Sequence, residues 1–237
     1  MSTVLEGRGL KRSYGRVTAV AGVDISVSAG EVMGLIGPNG AGKSTVFELL
    51  VGLERPDEGT VFLGGREVTG WPLHRRARAG LGYLAQHPSL FPRLTVHDNL
   101  AVALRAVGRS PEDAGELLAG AGLAHLGEQR AGTLSGGERR RVEIARCLAL
   151  RPRVVLLDEP YSGVDPAHVS ALRAGIRDLA GQGVGVLVTD HAAQVVLSTC
   201  DRAALLDAGV VLATGSPHEL AADPGARQRY LGQEFRL

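Results

Sequence analysis

Cysteine is scarce in this chain of 237 residues: Cys147 and Cys200 are the only two. Two thiols cannot build a disulfide framework, so a reducing compartment is expected. Long hydrophobic runs are missing as well. No stretch approaches the roughly 18 apolar residues of a membrane helix. Residues 1–10 lack the basic segment, apolar stretch and cleavage site of a secretory signal, so none is expected. Charge of one sign is also wanting. With 26 basic and 25 acidic residues the formal charge is +1, which argues against a dedicated nucleic-acid binder or a polybasic membrane clamp. Repeats of 20 to 50 residues and low-complexity tracts are absent. What remains is an ordinary apolar share of 44% and a length that suits one or two domains with a sizeable core. A soluble, cytosolic α/β protein is the expectation.

Lysine is nearly missing too, since only Lys11 and Lys43 carry an ammonium and every other cation is arginine. That makes the one lysine inside a glycine-rich loop conspicuous.

Hydrophobic patterning organises the chain. Val23, Ile25 and Val27 alternate with polar or small neighbours, as in a half-buried strand. The apolar run 32–36 ends at Gly37 and leads into a helical pattern through Phe47 and Leu50. Residues 60–63 read as a short strand with Gly64-Gly65 as its turn. From about 71 to 131 the pattern is mostly helical, apart from a short strand at 82–85. Ser110-Pro111-Glu112-Asp113 predicts a helix with Ser110 capping and Pro111 at its first position. Residues 154–157 and 184–188 are continuous and apolar, as strands buried on both faces are. Between them Val169, Leu172, Ile176 and Leu179 form one stripe, with Asp165 capping and Pro166 opening that helix. Ser216-Pro217-His218-Glu219 starts another. This alternation predicts a mostly parallel sheet that binds ligands at its carboxyl ends, with a helical subdomain inserted in it.

The strongest chemical signal is Gly37-Pro38-Asn39-Gly40-Ala41-Gly42-Lys43-Ser44, which fits G-x-x-x-x-G-K-[ST] between a strand and a helix. Its glycines let successive N–H groups turn inward as an anion nest, reinforced by the helix N-terminus. Lys43 supplies a point charge for β- and γ-phosphates, and the Ser44 hydroxyl can ligate Mg²⁺. A plain glycine turn would not need the lysine, the hydroxyl and both flanks. The second signal is Val154-Val-Leu-Leu-Asp158-Glu159. Its buried strand would deliver Asp158 to hold Mg²⁺ and Glu159 to polarise a water for in-line attack. The third is Leu134-Ser135-Gly136-Gly137-Glu138, a second exposed helix N-terminus suited to an anion.

Together, in this order and spacing, the three motifs resemble the nucleotide-binding domain of ABC transporters, and the resemblance covers essentially the whole chain. It implies an α/β P-loop NTPase fold with a mostly parallel core sheet, an N-terminal antiparallel β subdomain and an inserted helical subdomain. Residues 1–237 would form one ATPase domain, with 1–86 and 151–237 as core and about 87–150 as the helical part. ATP and Mg²⁺ are the implied ligands, and 37–45, including Thr45, is the implied ATP loop. The resemblance further implies that Ser135, Gly136, Gly137 and Glu138 close on the ATP of a partner copy, so that two ATPs are sandwiched in a head-to-tail homodimer. Tyr14 matches the aromatic that stacks on adenine. Gln86 matches the glutamine that touches Mg²⁺ or water and senses the membrane partner. Asp165 matches the aspartate crossing the dimer interface, and a plain capping role is compatible with that. His191 matches the histidine on the γ-phosphate. With these positions intact, a hydrolysing subunit is expected.

Within the family, residues 135–146, 73–78 and the ending Tyr230-Leu-Gly-Gln-Glu-Phe-Arg-Leu237 resemble the lipopolysaccharide-export ATPases. The implied partners are a second copy and two transmembrane permease subunits at the inner membrane, with the chain peripheral on the cytoplasmic face. Phe91 matches the aromatic of the groove that receives a permease helix; core packing is its alternative. Pro92 and His97 depart from the family pattern there. Two other readings stand beside export: the ATPase of a branched-chain amino acid importer, which shares the Leu-Phe-x-x-Leu-Thr-Val stretch, and a nucleic-acid or ribosome ATPase, which the length and charge disfavour. Cys147 reads as core packing, Cys200 has no metal-ligand spacing around it, and the arginine clusters 74–78 and 139–141 read as solvated helix faces or an approach to anionic phosphates.

Overall fold

The computed structural model describes residues 2–237, the side chains of 166–168 excepted. Two long strands, β1 (Thr3–Tyr14) and β2 (Val17–Ser28), form an antiparallel hairpin. β4 (Glu58–Leu63) and the short β5 (Arg66–Glu67) complete a four-stranded antiparallel sheet in the order β2-β1-β4-β5. The second sheet has six strands in the order β10-β9-β3-β8-β7-β6. They are β3 (Val32–Ile36), β6 (Leu81–Leu84), β7 (Val154–Asp158), β8 (Gly185–Thr189), β9 (Arg202–Asp207) and β10 (Val210–Gly215). Every neighbouring pair in it is parallel except β9–β10.

Among the described residues, eight α-helices of five or more residues accompany the sheets. They are α1 (Lys43–Val51), α2 (Leu73–Arg78), α3 (Val96–Ala106), α4 (Asp113–Gly120), α5 (Gly136–Ala149), α6 (Pro166–Gly181), α7 (Ala193–Leu197) and α8 (Pro217–Ala222). The strand period of two decides which sides they cover. Met33 and Leu35 of β3 point into one core with Phe47, Leu49 and Leu50 of α1 and with Leu5, Leu10 and Val61 of the antiparallel sheet. Val32 and Ile36 point the other way, toward Ile176 of α6 and Val196 of α7. The central strands β3, β7 and β8 are therefore buried on both faces, as their unbroken apolar runs demand. α1 is wedged between the two sheets, and burying Phe47, Leu49 and Leu50 contributes about 1.5–3 kcal/mol each. That anchors the helix whose N-terminus begins at Lys43. A third, separate cluster contains Leu90, Leu100 and Leu104 of α3, Leu118 of α4 and Val142 of α5. No helix among the described residues is long and apolar enough to cross a membrane.

Local departures from the sequence reading have physical causes. The helix expected from Ser110 starts at Asp113. Asp113 and Ala114 donate to the carbonyls three residues back, so a tighter turn precedes the regular helix. Ser110 still accepts the Glu112 N–H on its hydroxyl. The strand expected at 82–85 runs one residue earlier, Leu81–Leu84. Neither arginine cluster is simply solvated. Arg76 is fully buried and donates to the carbonyls of Leu49, Leu50, Thr69 and Trp71, capping the C-terminal end of α1. With no carboxylate on it, burial lowers its pKa to about 10. Its seat on the face of Leu73 and Ala79, which pack against the same core, is a helical-spacing signal a composition count overlooks. Arg140 is the second exception.

Candidate nucleotide site

The loop 37–42 leaves β3 at its carboxyl end and runs into α1. Two of its glycines are steric requirements. A Cβ on Gly37 would lie 2.0 Å from the Leu206 carbonyl oxygen, and one on Gly42 would lie 2.3 Å from that of Ala19. Gly42 is also in the left-handed region, φ 104°, at the helix N-cap, where it closes the loop onto the helix. The Lys43 ammonium folds back over the loop, donating to Gly37 O at 2.7 Å and Pro38 O at 2.9 Å. Burial lowers its pKa, while the charges of Glu159 and Asp158 work the other way. Asn39, Gly40 and Ser44 are exposed and Thr45 is half-buried, so this end of the helix faces solvent.

β7 delivers Asp158 and then Glu159 to the same rim. Asp158 is buried, 6% exposed, and burial first, then the neighbouring Glu159 charge, raises its pKa to about 6. Glu159 takes a left-handed backbone, φ 47°, which a non-glycine residue rarely adopts. Its surroundings hold that conformation. The Glu159 N–H donates to Thr189 O at 2.8 Å, while its carbonyl accepts from Ser162 N–H at 3.2 Å and from Arg140 Nη2 at 3.0 Å. Strain of this kind concentrates at functional sites. Here it turns the carboxylate toward Gln86, whose Nε2 donates to Glu159 Oε2 at 2.9 Å. His191 Nδ1 stands 3.9 Å from the same oxygen and 3.2 Å from Asp190 Oδ1.

Sequence reasoning assigns no role to Thr189 or Asp190. Asp190, 1% exposed, accepts the N–H groups of Tyr161 and Ala192 and so fixes the turn that carries the histidine. The Thr189 hydroxyl donates to Leu35 O at 2.7 Å, tying β8 to β3. A charged residue directly after a buried strand was the available signal for Asp190. The C-terminal segment also reaches this turn. Tyr230 Oη donates to His191 O at 3.4 Å, and Tyr230, Leu231 and Phe235 pack on the adjoining core.

Arg140 is the largest omission of sequence reasoning. It is 7% exposed and donates to the carbonyls of Ala85, Asp158, Glu159 and Pro160, besides pairing with Glu143 at 3.3 Å. It thus ties α5 to both the end of β7 and the residue before Gln86. Glu143 accepts from Ser89 N–H at 2.6 Å, and Arg146 donates to Ser89 O and Oγ. Arg140 falls three residues before Glu143 and seven before Cys147, on the inward face of the helix, so helical spacing was its signal.

At the start of α5, Ser135 and Glu138 form a reciprocal cap. The Ser135 hydroxyl and N–H donate to the Glu138 carboxylate at 2.6 Å and 2.9 Å and hold its pKa below the usual carboxylate range. Ser135 and Gly136 are exposed and Gly137 is half-buried. Tyr14, 43% exposed, ends β1 in the antiparallel sheet. Asp165 is exposed immediately before α6. Phe91 is 52% exposed, not packed in the core. Its N–H and carbonyl are both held by the buried Asn99 side chain, and it borders a cavity of ≈ 320 Å³ with Tyr83, Val102 and Ala103.

The structure therefore brings Lys43, Gln86, Asp158, Glu159 and His191 to one rim formed by β3, β6, β7 and β8. A lysine cation, a desolvated carboxylate and a second carboxylate oriented by an amide and an imidazole can bind a polyphosphate and position a water against it. Comparison with known proteins bears on this directly. Residues 20–162 match the family model described as ABC transporter. The chain is 48% identical to the lipopolysaccharide export system ATP-binding protein LptB of Acidithiobacillus ferridurans, over all of both chains. It is 42% identical to the protein of that name from Escherichia coli K12, over 98% of this chain and 99% of the other. It superposes on the crystal structure of the ADP conformation of MJ1267, an ATP-binding cassette of an ABC transporter, with a TM-score of 0.87 and 28% identity, covering 98% of this chain and 100% of that one. By sequence, by fold and by the chemistry at its sheet rim, the chain belongs to the ABC transporter family as an ATP-binding, ATP-hydrolysing subunit.

Proposed function

We propose that this chain is the motor subunit that powers extraction of lipopolysaccharide from the inner membrane, working as a head-to-tail homodimer beneath two transmembrane permease subunits. The observation that carries the export assignment is its 48% identity, end to end, with a lipopolysaccharide export ATP-binding protein. Residues 1–86 and 151–237 serve as the core, and about 87–150 as the helical subdomain. The chain sits on the cytoplasmic face and meets the membrane through its partners.

In the proposed cycle the amides of 37–45 and Lys43 bind the ATP phosphates, and Tyr14 stacks on the base. Ser135, Gly136 and Gly137 of the partner copy cover the γ-phosphate, with Asp165 at the seam between copies. Glu159 holds the attacking water and accepts its proton, and His191 steadies the γ-phosphate. Once that phosphoryl group leaves, the contact bridging the copies is gone and the dimer opens; the ligand-biased element is the interface itself. Gln86 and the groove at Phe91 pass this motion to the permease.

The donor set suits Mg²⁺. Asp158 is a buried carboxylate whose pKa is raised by burial and by the neighbouring Glu159, against the opposing charges of Arg140 and Lys43. Mg²⁺ takes oxygen ligands and usually keeps several waters, binding through one or two carboxylates and substrate phosphates. Ser44, Gln86 and Asp158 would hold it, and when bound it neutralises charge on the phosphate oxygens.

The test is affinity capture of the tagged chain from detergent-solubilised membranes. Two large permease subunits with periplasmic domains are the expected companions. Recovery of a small-permease pair with a periplasmic binding protein would overturn export in favour of import.

A further inference from the structure

We propose that Arg12 is a positioning residue for the nucleotide base: it braces one face of the Tyr14 ring and so prepares the ring as a stacking platform. The inference rests on the reading of Tyr14 as the adenine-stacking residue. The Arg12 guanidinium lies over that ring, with Cζ 4.9 Å from the centroid. It is held there from behind by two acids, Nη2 on Glu54 at 2.6 Å and Nη1 on Asp57 at 2.9 Å. At 25% side-chain exposure, with both ends of the fork engaged, this is no solitary surface pair. The second Asp57 oxygen accepts the Ser13 N–H at 2.7 Å, and the Asp57 N–H donates to Lys11 O at 2.8 Å. Lys11 in turn pairs with Glu58 at 2.7 Å. The last residues of β1 are thereby zipped to the segment 54–58.

That segment leaves the phosphate-binding helix directly. The N–H groups of Gly52, Leu53 and Glu54 all donate to Glu48 O of α1. Phosphate loop and base platform are thus fixed to the two ends of one helix, and Arg12 is the link that reaches the ring. A half-exposed tyrosine at a strand end would otherwise lose rotamer freedom when a base stacks on it. A cation fixed on one face removes that loss beforehand and leaves the ring itself to the base.

The experiment compares two probes by calorimetry on the isolated full chain: ATP, which has a base, and inorganic tripolyphosphate, which does not. Arg12→Gln should weaken ATP about fivefold and leave tripolyphosphate within about twofold, since a cation–π brace acts only through the ring. Arg12→Lys, which keeps a cation over the ring, should recover part of the loss. Tyr14→Ala should weaken ATP about tenfold or more, and adding Arg12→Gln to it should cost nothing further. Equal weakening of both probes by Arg12→Gln would show general damage and overturn the proposal. So would unchanged ATP affinity in Arg12→Gln alongside a clear loss in Tyr14→Ala. If Tyr14→Ala itself leaves ATP binding intact, the base-platform reading falls, and the brace with it.

Discussion

The rim of the parallel sheet and the helical region 87–150 are built by different chemistry. At the rim, neighbouring strand ends and turns are tied to one another by backbone groups and a short side chain. Glu159 N–H reaches Thr189 O, the Thr189 hydroxyl reaches Leu35 O, and Gly209 N–H reaches Ala41 O at 3.0 Å. The helical region has its own apolar core around Leu100, Leu104 and Val142. A long side chain joins it to the sheet, Arg140 reaching four carbonyls, while Glu143 and Arg146 hold Ser89 at the start of the helical region. Strand ends impose a rigid geometry, whereas an arginine fork can keep its bonds while the body that carries it tilts.

The largest way to break this comparison acts on the rim alone. Glu159→Gln keeps shape and hydrogen bonds and removes the base, so steady-state ATP turnover should fall by about 10²–10⁴. ATP binding should persist, and the variant should accumulate as a dimer in size-exclusion chromatography. Unchanged turnover would remove Glu159 from its role. Next comes the attachment. Arg140→Ala strands Glu143, 3% exposed, without its cation and leaves buried carbonyls without their donor. A loss of about 3–5 kcal/mol in urea unfolding is expected. A loss under 1 kcal/mol would mean that the apolar core alone holds the helical region in place.

Phe91→Ala sharpens the same contrast at lower cost. Its ring is half-exposed, so stability should change by no more than about 0.5 kcal/mol. Recovery of the membrane subunits with the tagged chain should nevertheless drop; undiminished recovery would remove Phe91 from the groove. The smallest effect concerns the thiols. Burial pushes both Cys147 and Cys200 up to about 12. A raised thiol pKa means little thiolate at pH 8, so a colorimetric thiol reagent should react with neither in the native chain and with both in urea. Prompt native reaction at Cys147 would show that the region beneath α5 opens far more than its packing implies.

The same contrast explains what could be read beforehand. The loop 37–44 and the pair Asp158-Glu159 are contiguous motifs whose neighbours in sequence are their neighbours in space, and the structure places them on one rim. Gln86 and His191 reach it from separate strands. They were legible only through a family resemblance, because nothing local says which strand end lies beside Glu159. Arg140 and Arg76 sit in arginine runs that local pattern assigns to a solvated face or to an approach to phosphates. Their burial depends on carbonyls contributed by other elements, a long-range property absent from local pattern. Helix starts fared unevenly: the Ser216 box is formed as expected, while the proline turn at 111 delays regular helix by two residues.

The capped N-terminus of α5 bears on the proposed cycle. The Ser135 hydroxyl is already spoken for by the chain's own Glu138 carboxylate. A γ-phosphate from the opposite copy would have to displace that internal anion, so docking is a swap of acceptors. The tightness of closure at this point is then a difference between two similar bonds, smaller than either. A clasp of that kind releases easily, which suits a machine that has to let go after every stroke.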